Sequence, residues 1–136
     1  LSFLNTPEDA VQAQLDGYNA RDIAAFMAPW AKDAEYYQFP DTLLAKGEAA
    51  IRERHVARFQ EANLHGELLS RISLDGMVID RERVTRTFPD GPGTVDVIAI
   101  YEVVGGLIHK AWFRMAKPVP ARRREPRGTG VVTPTA

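Results

Sequence analysis

The sequence has no cysteine among its 136 residues. Disulfides, thiolate metal ligands and Cys nucleophiles are therefore excluded. It also has little net charge, -1 from 17 basic and 18 acidic residues, which gives no whole-chain attraction for nucleic acid or an anionic membrane. No apolar run approaches the roughly 18 residues needed to span a bilayer, and no signal-peptide pattern opens the sequence. The expectation from these absences is a cytoplasmic protein without nucleic-acid or membrane partners. Histidine is scarce, and His55, His65 and His109 lack metal-ligand spacing, so no metal site is expected. Ser70 and Ser73 lie in no nucleophile-elbow context. Gly91-Pro92-Gly93 is a turn, too short and rigid to cradle phosphate. No cofactor is expected, and there is no internal repeat.

What is present is the composition of an ordinary globular chain, 45% hydrophobic and 26% charged, at a length that suits one domain. Thr6-Pro7-Glu8-Asp9 reads as a helix start, with Val11, Leu15 and Tyr18 at helical spacing to about Asn19. Gln14 falls on that apolar stripe, an odd place for an amide without a partner. Asp22 can cap a second short helix burying Ile23, Phe26 and Met27, ended by Pro29 and Trp30. Asp33 to Pro40 reads as a strand with Tyr36 and Gln38 on one face and Tyr37 and Phe39 on the other. Asp41 to Lys46 reads as a connector. Gly47 opens a third helix with Ile51, His55, Phe59 and Ala62 inward and Glu48, Arg52, Glu53 and Arg58 mostly outward.

Leu68 to Leu74 alternates as a strand. Asp75-Gly76 suggests a bulge or a tight turn, with the strand continuing through Met77-Val78-Ile79. Asp80 to Arg83 leads into a strand ending at Thr87-Phe88, and Pro89 to Gly93 is a turn. Val95 to Val104 and Leu107 to Met115, joined at Gly105-Gly106, form the strongest hairpin signal in the chain. Val95, Val97, Ala99 and Tyr101 share one face; Asp96, Ile98, Ile100 and Glu102 share the other. The partly apolar second face predicts a homodimer through the outer side of the sheet. Residues 1–117 are expected to form the domain and residues 118–136, with Arg122, Arg123, Arg124 and Arg127, a disordered tail, either solvated or an anion-binding arm. Helices followed by a long antiparallel sheet make an α+β domain.

Tyr18-Asn19-Ala20-Arg21-Asp22, Trp30-Ala31-Lys32-Asp33-Ala34, Lys46-Gly47 before a helix, and the late hairpin ending in Trp112-Phe113 resemble the NTF2-like superfamily. Within it the chain is similar to the SnoaL-like and ketosteroid-isomerase-like proteins, over about Pro7 to Met115. The resemblance implies a cystatin-like cone, a strongly curved antiparallel sheet wrapped around the N-terminal helices, with a hydrophobic small-molecule pocket. It also implies that the position of the isomerases' proton-shuttling aspartate falls on Gln38, and those of their oxyanion tyrosine and aspartic acid on Gln14 and Ala99. A glutamine amide cannot shuttle a proton near neutral pH, and an alanine donates nothing.

Two ionisable residues could replace the missing groups. His55 lies on the apolar stripe of the third helix, and the same alignment sets Glu82 on the inward face of a cone-lining strand. One reading is a His55–Glu82 acid–base pair in which the carboxylate orients the ring and raises its pKa. The other is a packed His55, with Glu82 paired to Arg81, Arg83 or Arg86. Tyr18, Trp30, Tyr36, Phe59 and Phe113 line a flat-ligand pocket or are plain core. Gln14 and Gln38 keep the base of the pocket polar, or bond each other or a water. Two functions stay open: an isomerase or lyase on a hydrophobic carbonyl compound, or a non-catalytic ligand-binding or dimeric assembly protein.

Overall fold

The computed structural model describes residues 6–121. Helix α1 (Pro7–Ala20) and short helix α2 (Ile23–Met27) come first, then strands β1 (Trp30–Gln38) and β2 (Thr42–Lys46) and helix α3 (Glu48–Arg58). Strands β3 (His65–Leu74), β4 (Met77–Phe88), β5 (Gly91–Val104), β6 (Leu107–Met115) and β7 (Val119–Pro120) complete the described residues. α1 starts where its side chains dictate. The Thr6 hydroxyl accepts from the Asp9 N–H and the Asp9 carboxylate accepts from the Thr6 N–H, a capping box beside Pro7. Asp22 caps α2 through the Ala25 N–H.

The strands form one sheet in the order β2-β1-β6-β5-β4-β3, with β7 paired to β5 alongside Gly93 and Thr94, where β6 has ended. This is an α+β fold with a mixed sheet. β1 runs parallel to β6, and the other pairings are antiparallel. The expected all-antiparallel sheet is corrected there: β1 and β6 are far apart in sequence, so no hairpin fixes their relative direction. Thr42–Lys46, expected as a connector, is a five-residue strand too short to carry a periodic signal. At Asp75-Gly76 the tight turn holds: φ is 50° and 87°, Leu74 pairs with Met77, and Met77–Ile79 begins the next strand instead of continuing the last. Gly105 and Gly106 have φ of 60° and 80°, the left-handed pair that a two-residue hairpin requires.

α3 ends at Arg58, short of the expected Ala62. The Arg21 guanidinium donates to the carbonyls of Ala62 and Leu64 and holds that loop in an irregular path. The β7 pairing carries ordered backbone past residue 117, and the arginines of the expected tail lie outside the described residues. Among the described residues no helix is long and apolar enough to cross a membrane.

The helices pack on one sheet face. Val95, Val97, Ala99, Tyr101 and Val103 of β5 are buried beneath them, while Asp96, Ile98, Ile100 and Glu102 point away. Asn19 fastens α1 to the sheet, its side-chain amide donating to Gly66 O at 2.9 Å and its carbonyl accepting from Gly66 N–H at 2.7 Å. Gly17 lets α1 touch α2: a Cβ there would lie 2.4 Å from Phe26 N and 2.6 Å from its Cα. Backbone cannot rotate aside as a flexible side chain can. Gly17→Ala would gain about 1 kcal/mol of helix propensity and lose more to the collision. A net destabilisation of about 2 kcal/mol is expected, read from the midpoint of urea unfolding.

Candidate functional site

Between the helices and the inner sheet face lies a cavity of about 100 Å³, room for roughly one ring or a few waters. Its walls come from every layer: Gln14 and Tyr18 of α1, Phe26 of α2, Trp30, Tyr36 and Gln38 of β1, His55 of α3, Glu82 of β4, Tyr101 of β5 and Phe113 of β6. The aromatics pack edge to face or tilted, with Tyr36 on Phe113 at 4.6 Å, Phe26 on His55 at 4.3 Å and Tyr18 on Phe59 at 5.6 Å between centroids. They are at once core and lining.

Alternation along β4 sends Val78, Asp80, Glu82 and Val84 inward. Two carboxyls therefore share one buried face, and they meet different fates. Asp80, fully buried, takes a bidentate bond from Arg71 at 2.7 and 2.9 Å, and Arg71 reaches on to Gln12 of α1 at 2.9 Å. Glu82 is 7% exposed, and its Oε2 is buried without a hydrogen-bond partner among the described residues. Desolvation first, and then repulsion from Asp80, raises its pKa to about 7, with Arg71 pulling the other way. The arginines expected to neutralise it are occupied elsewhere. Arg81 and Arg83 pair with Asp96 at 3.1 and 2.9 Å, and Arg86 with Glu61 at 2.8 Å.

His55 faces the same cavity but does not meet Glu82. Among the described residues the two form neither a hydrogen bond nor an ion pair, and His55 Nδ1 is 2.8 Å from Ile51 O. A carbonyl only accepts, so Nδ1 carries the proton and Nε2 keeps its lone pair. Burial, with smaller repulsions from Arg58 and Arg54, lowers the ring's pKa to about 4. The expected upward shift from a carboxylate is thus reversed: Glu82 is not the ring's partner, and burial outweighs the upward pull of the Ile51 carbonyl. His55 is a neutral acceptor at physiological pH.

Gln14 is buried and donates to the Tyr101 hydroxyl at 3.1 Å. Tyr101, not singled out from the sequence as a site residue, is the cavity's buried phenol, its pKa raised well above the usual range by burial and by Glu82 and Asp80. Its inward place followed from β5 alternation; its partnership with α1, 87 residues away, did not. The other expected polar residues separate. Gln38 lines the cavity from an exposed position near the end of β1 and makes no bond to Gln14, which Tyr101 has claimed. Ala99 is 1% exposed, packed between Asp80 and Phe113 in the strand register, and does not line the cavity. Trp30 does, and its Nε1–H is the other buried side-chain polar atom without a partner among the described residues. Arg58, expected mostly outside, is half-buried on the cavity wall with Arg54. Its spacing from Ile51 and His55, seven and three residues on, belongs to the inward face of α3.

Three solved structures illustrate the likeness of fold. An uncharacterised cystatin-fold protein from Novosphingobium aromaticivorans is 23% identical, covering 79% of this chain and 97% of its own, with a TM-score of 0.73. A protein from Kribbella flavida, provisionally assigned as a ketosteroid isomerase, is 17% identical over 96% of this chain and 90% of its own, with a TM-score of 0.69. One from Sinorhizobium meliloti, provisionally assigned as a polyketide cyclase, is 23% identical over 77% and 93%, with a TM-score of 0.65. At these identities the likeness establishes the NTF2-like, cystatin-like fold alone. No curated protein matches the sequence. The model of the SnoaL-like domain matches residues 11–111, most of the chain, and the chain belongs to that family.

Proposed function

We propose that the cavity binds a small hydrophobic carbonyl compound and moves a proton at the carbon beside the carbonyl, as an isomerase or lyase does. Glu82 carries this reading: a cavity-lining carboxyl with an unpartnered buried oxygen and a pKa near 7 is suited to take and return a proton at neutral pH. The carboxylate takes the α-proton, and the electron pair passes to the carbonyl oxygen. Tyr101 supplies the counterpart. Its oxygen already accepts from Gln14, so its O–H is free to donate to an enolate oxygen, and the amide makes that phenol the stronger donor. The Trp30 N–H and the His55 Nε2 lone pair can orient the rest of the ligand. Proton transfer would then rest on Glu82 and Tyr101, with Gln14 in support, and not on Gln38 or Ala99.

Solvent deuterium exchange into small cyclic and aryl ketones, followed by NMR, tests this directly. Tyr101→Phe should slow exchange about a hundredfold while ketone affinity stays within a few-fold. Ketones that bind without exchange, in wild type, would instead support a non-catalytic binding protein.

We also propose that a second copy of the chain covers the outer sheet face. The register sets Ile72, Ile79, Ile100, Trp112, Tyr37 and Leu43 in one apolar row across six strands. The next row carries Glu102, Lys110, Glu35 and Lys46 on four strands, a polar border of the kind a symmetric interface has, and Met77 and Leu74 on the other two. Native mass spectrometry should find a dimer, and Ile100→Lys should give a folded monomer. A wild-type monomer at micromolar concentration would refute the proposal.

A further inference from the structure

The cavity wall carries more positive charge than proton transfer requires. Arg54, Arg58 and Arg86 line it, while Glu82 is the one carboxylate residue among the lining residues. Arg86 is committed, donating to both oxygens of Glu61 at 3.2 and 2.8 Å, and Glu61 also accepts from the Thr87 N–H. Arg58 shares that carboxylate at 3.5 Å. Arg54 has no carboxylate within ion-pair distance among the described residues, and its guanidinium lies 5.4 Å from the centre of the Tyr36 ring. Arg54 and Arg58 stand one turn apart on α3, both half-buried, flanking the deeper His55.

A protein of net charge -1 therefore concentrates guanidinium groups beside an apolar cavity, and one of them, placed over the Tyr36 ring, has no anion opposite it among the described residues. Packing does not call for this, because a half-buried cation is most stable opposite an anion. The planar fork of a guanidinium matches a carboxylate or a phosphate. A doubly charged phosphate would add repulsion beside Glu82.

We infer that Arg54, assisted by Arg58, is the anchor for a carboxylate on the ligand. The substrate is then an amphiphilic keto acid, with its apolar carbonyl end among Trp30, Tyr36 and Phe113 and its carboxylate on α3. This rests on the reading of the cavity as a carbonyl site and adds the substrate's charge. Arg54 is a specificity residue, distant in role from the proton transfer at Glu82.

The test is isothermal titration of the full chain with benzoylalkanoates of two to four methylenes, each beside its methyl ester. In low salt at least one acid should bind about tenfold more tightly than its ester. Salt should weaken the acid and leave the ester unmoved. Arg54→Gln should bring the acid to the ester's affinity, and Arg58→Gln serves the same comparison if Arg54→Gln does not fold. Equal affinity of acids and esters, equal loss of both in the variant, or binding by neither would overturn the inference. Deuterium exchange on the same compounds separates it from the catalytic reading. Acid preference without exchange leaves the anchor standing and removes proton transfer; exchange on acid and ester at equal affinity does the reverse.

Discussion

Glu82→Gln should slow α-proton exchange about a thousandfold and, at pH 8, make the protein more stable than wild type. The first effect follows from removing the base, since an amide of the same shape cannot take a proton. The second follows from linkage. The Glu82 carboxyl titrates near 7 in the fold against an ordinary 4.5, so the native state holds an extra proton between those values. Its stabilising contribution is full below pH 4.5 and is lost as the pH rises through 7. At about 1.4 kcal/mol per unit this amounts to about 3 kcal/mol.

His55 has the opposite sign. Its folded value of about 4 lies below the ordinary 6.5, so its contribution is full above pH 6.5 and is lost as the pH falls through 4. Between 4.5 and 6.5 the two slopes oppose, and together they leave wild type nearly flat. In Glu82→Gln only the histidine slope survives. Urea unfolding at pH 4.5, 6.5 and 8 checks this: the variant's advantage should be greatest at pH 8 and vanish near pH 4.5. An advantage independent of pH would mean that Glu82 is not titrating from a buried, raised state.

Asp80→Asn should cost about 3 kcal/mol and move the pH midpoint of exchange downward. Asp80 is fully buried and holds Arg71 by two short bonds. Breaking such a pair on one side leaves a partly buried cation uncompensated, which is worse than never having had the pair. The same change removes the repulsion that helps raise the Glu82 pKa and leaves burial alone to oppose Arg71, which lowers it. The pH–rate profile distinguishes this from general damage. A loss of stability alone would lower the amount of active protein and leave the midpoint in place, whereas loss of the electrostatic neighbour shifts it.

Residue types and their local spacing determined much of this protein. Capping at Thr6 and Asp22, the Gly105-Gly106 hairpin and the alternation of β5 are written within a few residues of one another, and the structure has them there. The spacing motifs pointed to the family. The alignment to the family set Glu82 inward, and period two along β4 sends Asp80 to the same face. What local pattern cannot carry is which distant groups meet. The parallel β1–β6 pairing joins segments about seventy residues apart, and β2 is too short for a periodic signal. The same limit governs the site. Arg81, Arg83 and Arg86 neighbour Glu82 in sequence, yet they pair with Asp96 and Glu61 and leave it bare. Gln14 finds Tyr101 across the cone, and His55 bonds its own helix. Burial and pairing are properties of the folded surroundings, so a carboxyl with a raised pKa could be placed from the sequence but recognised only in the tertiary structure.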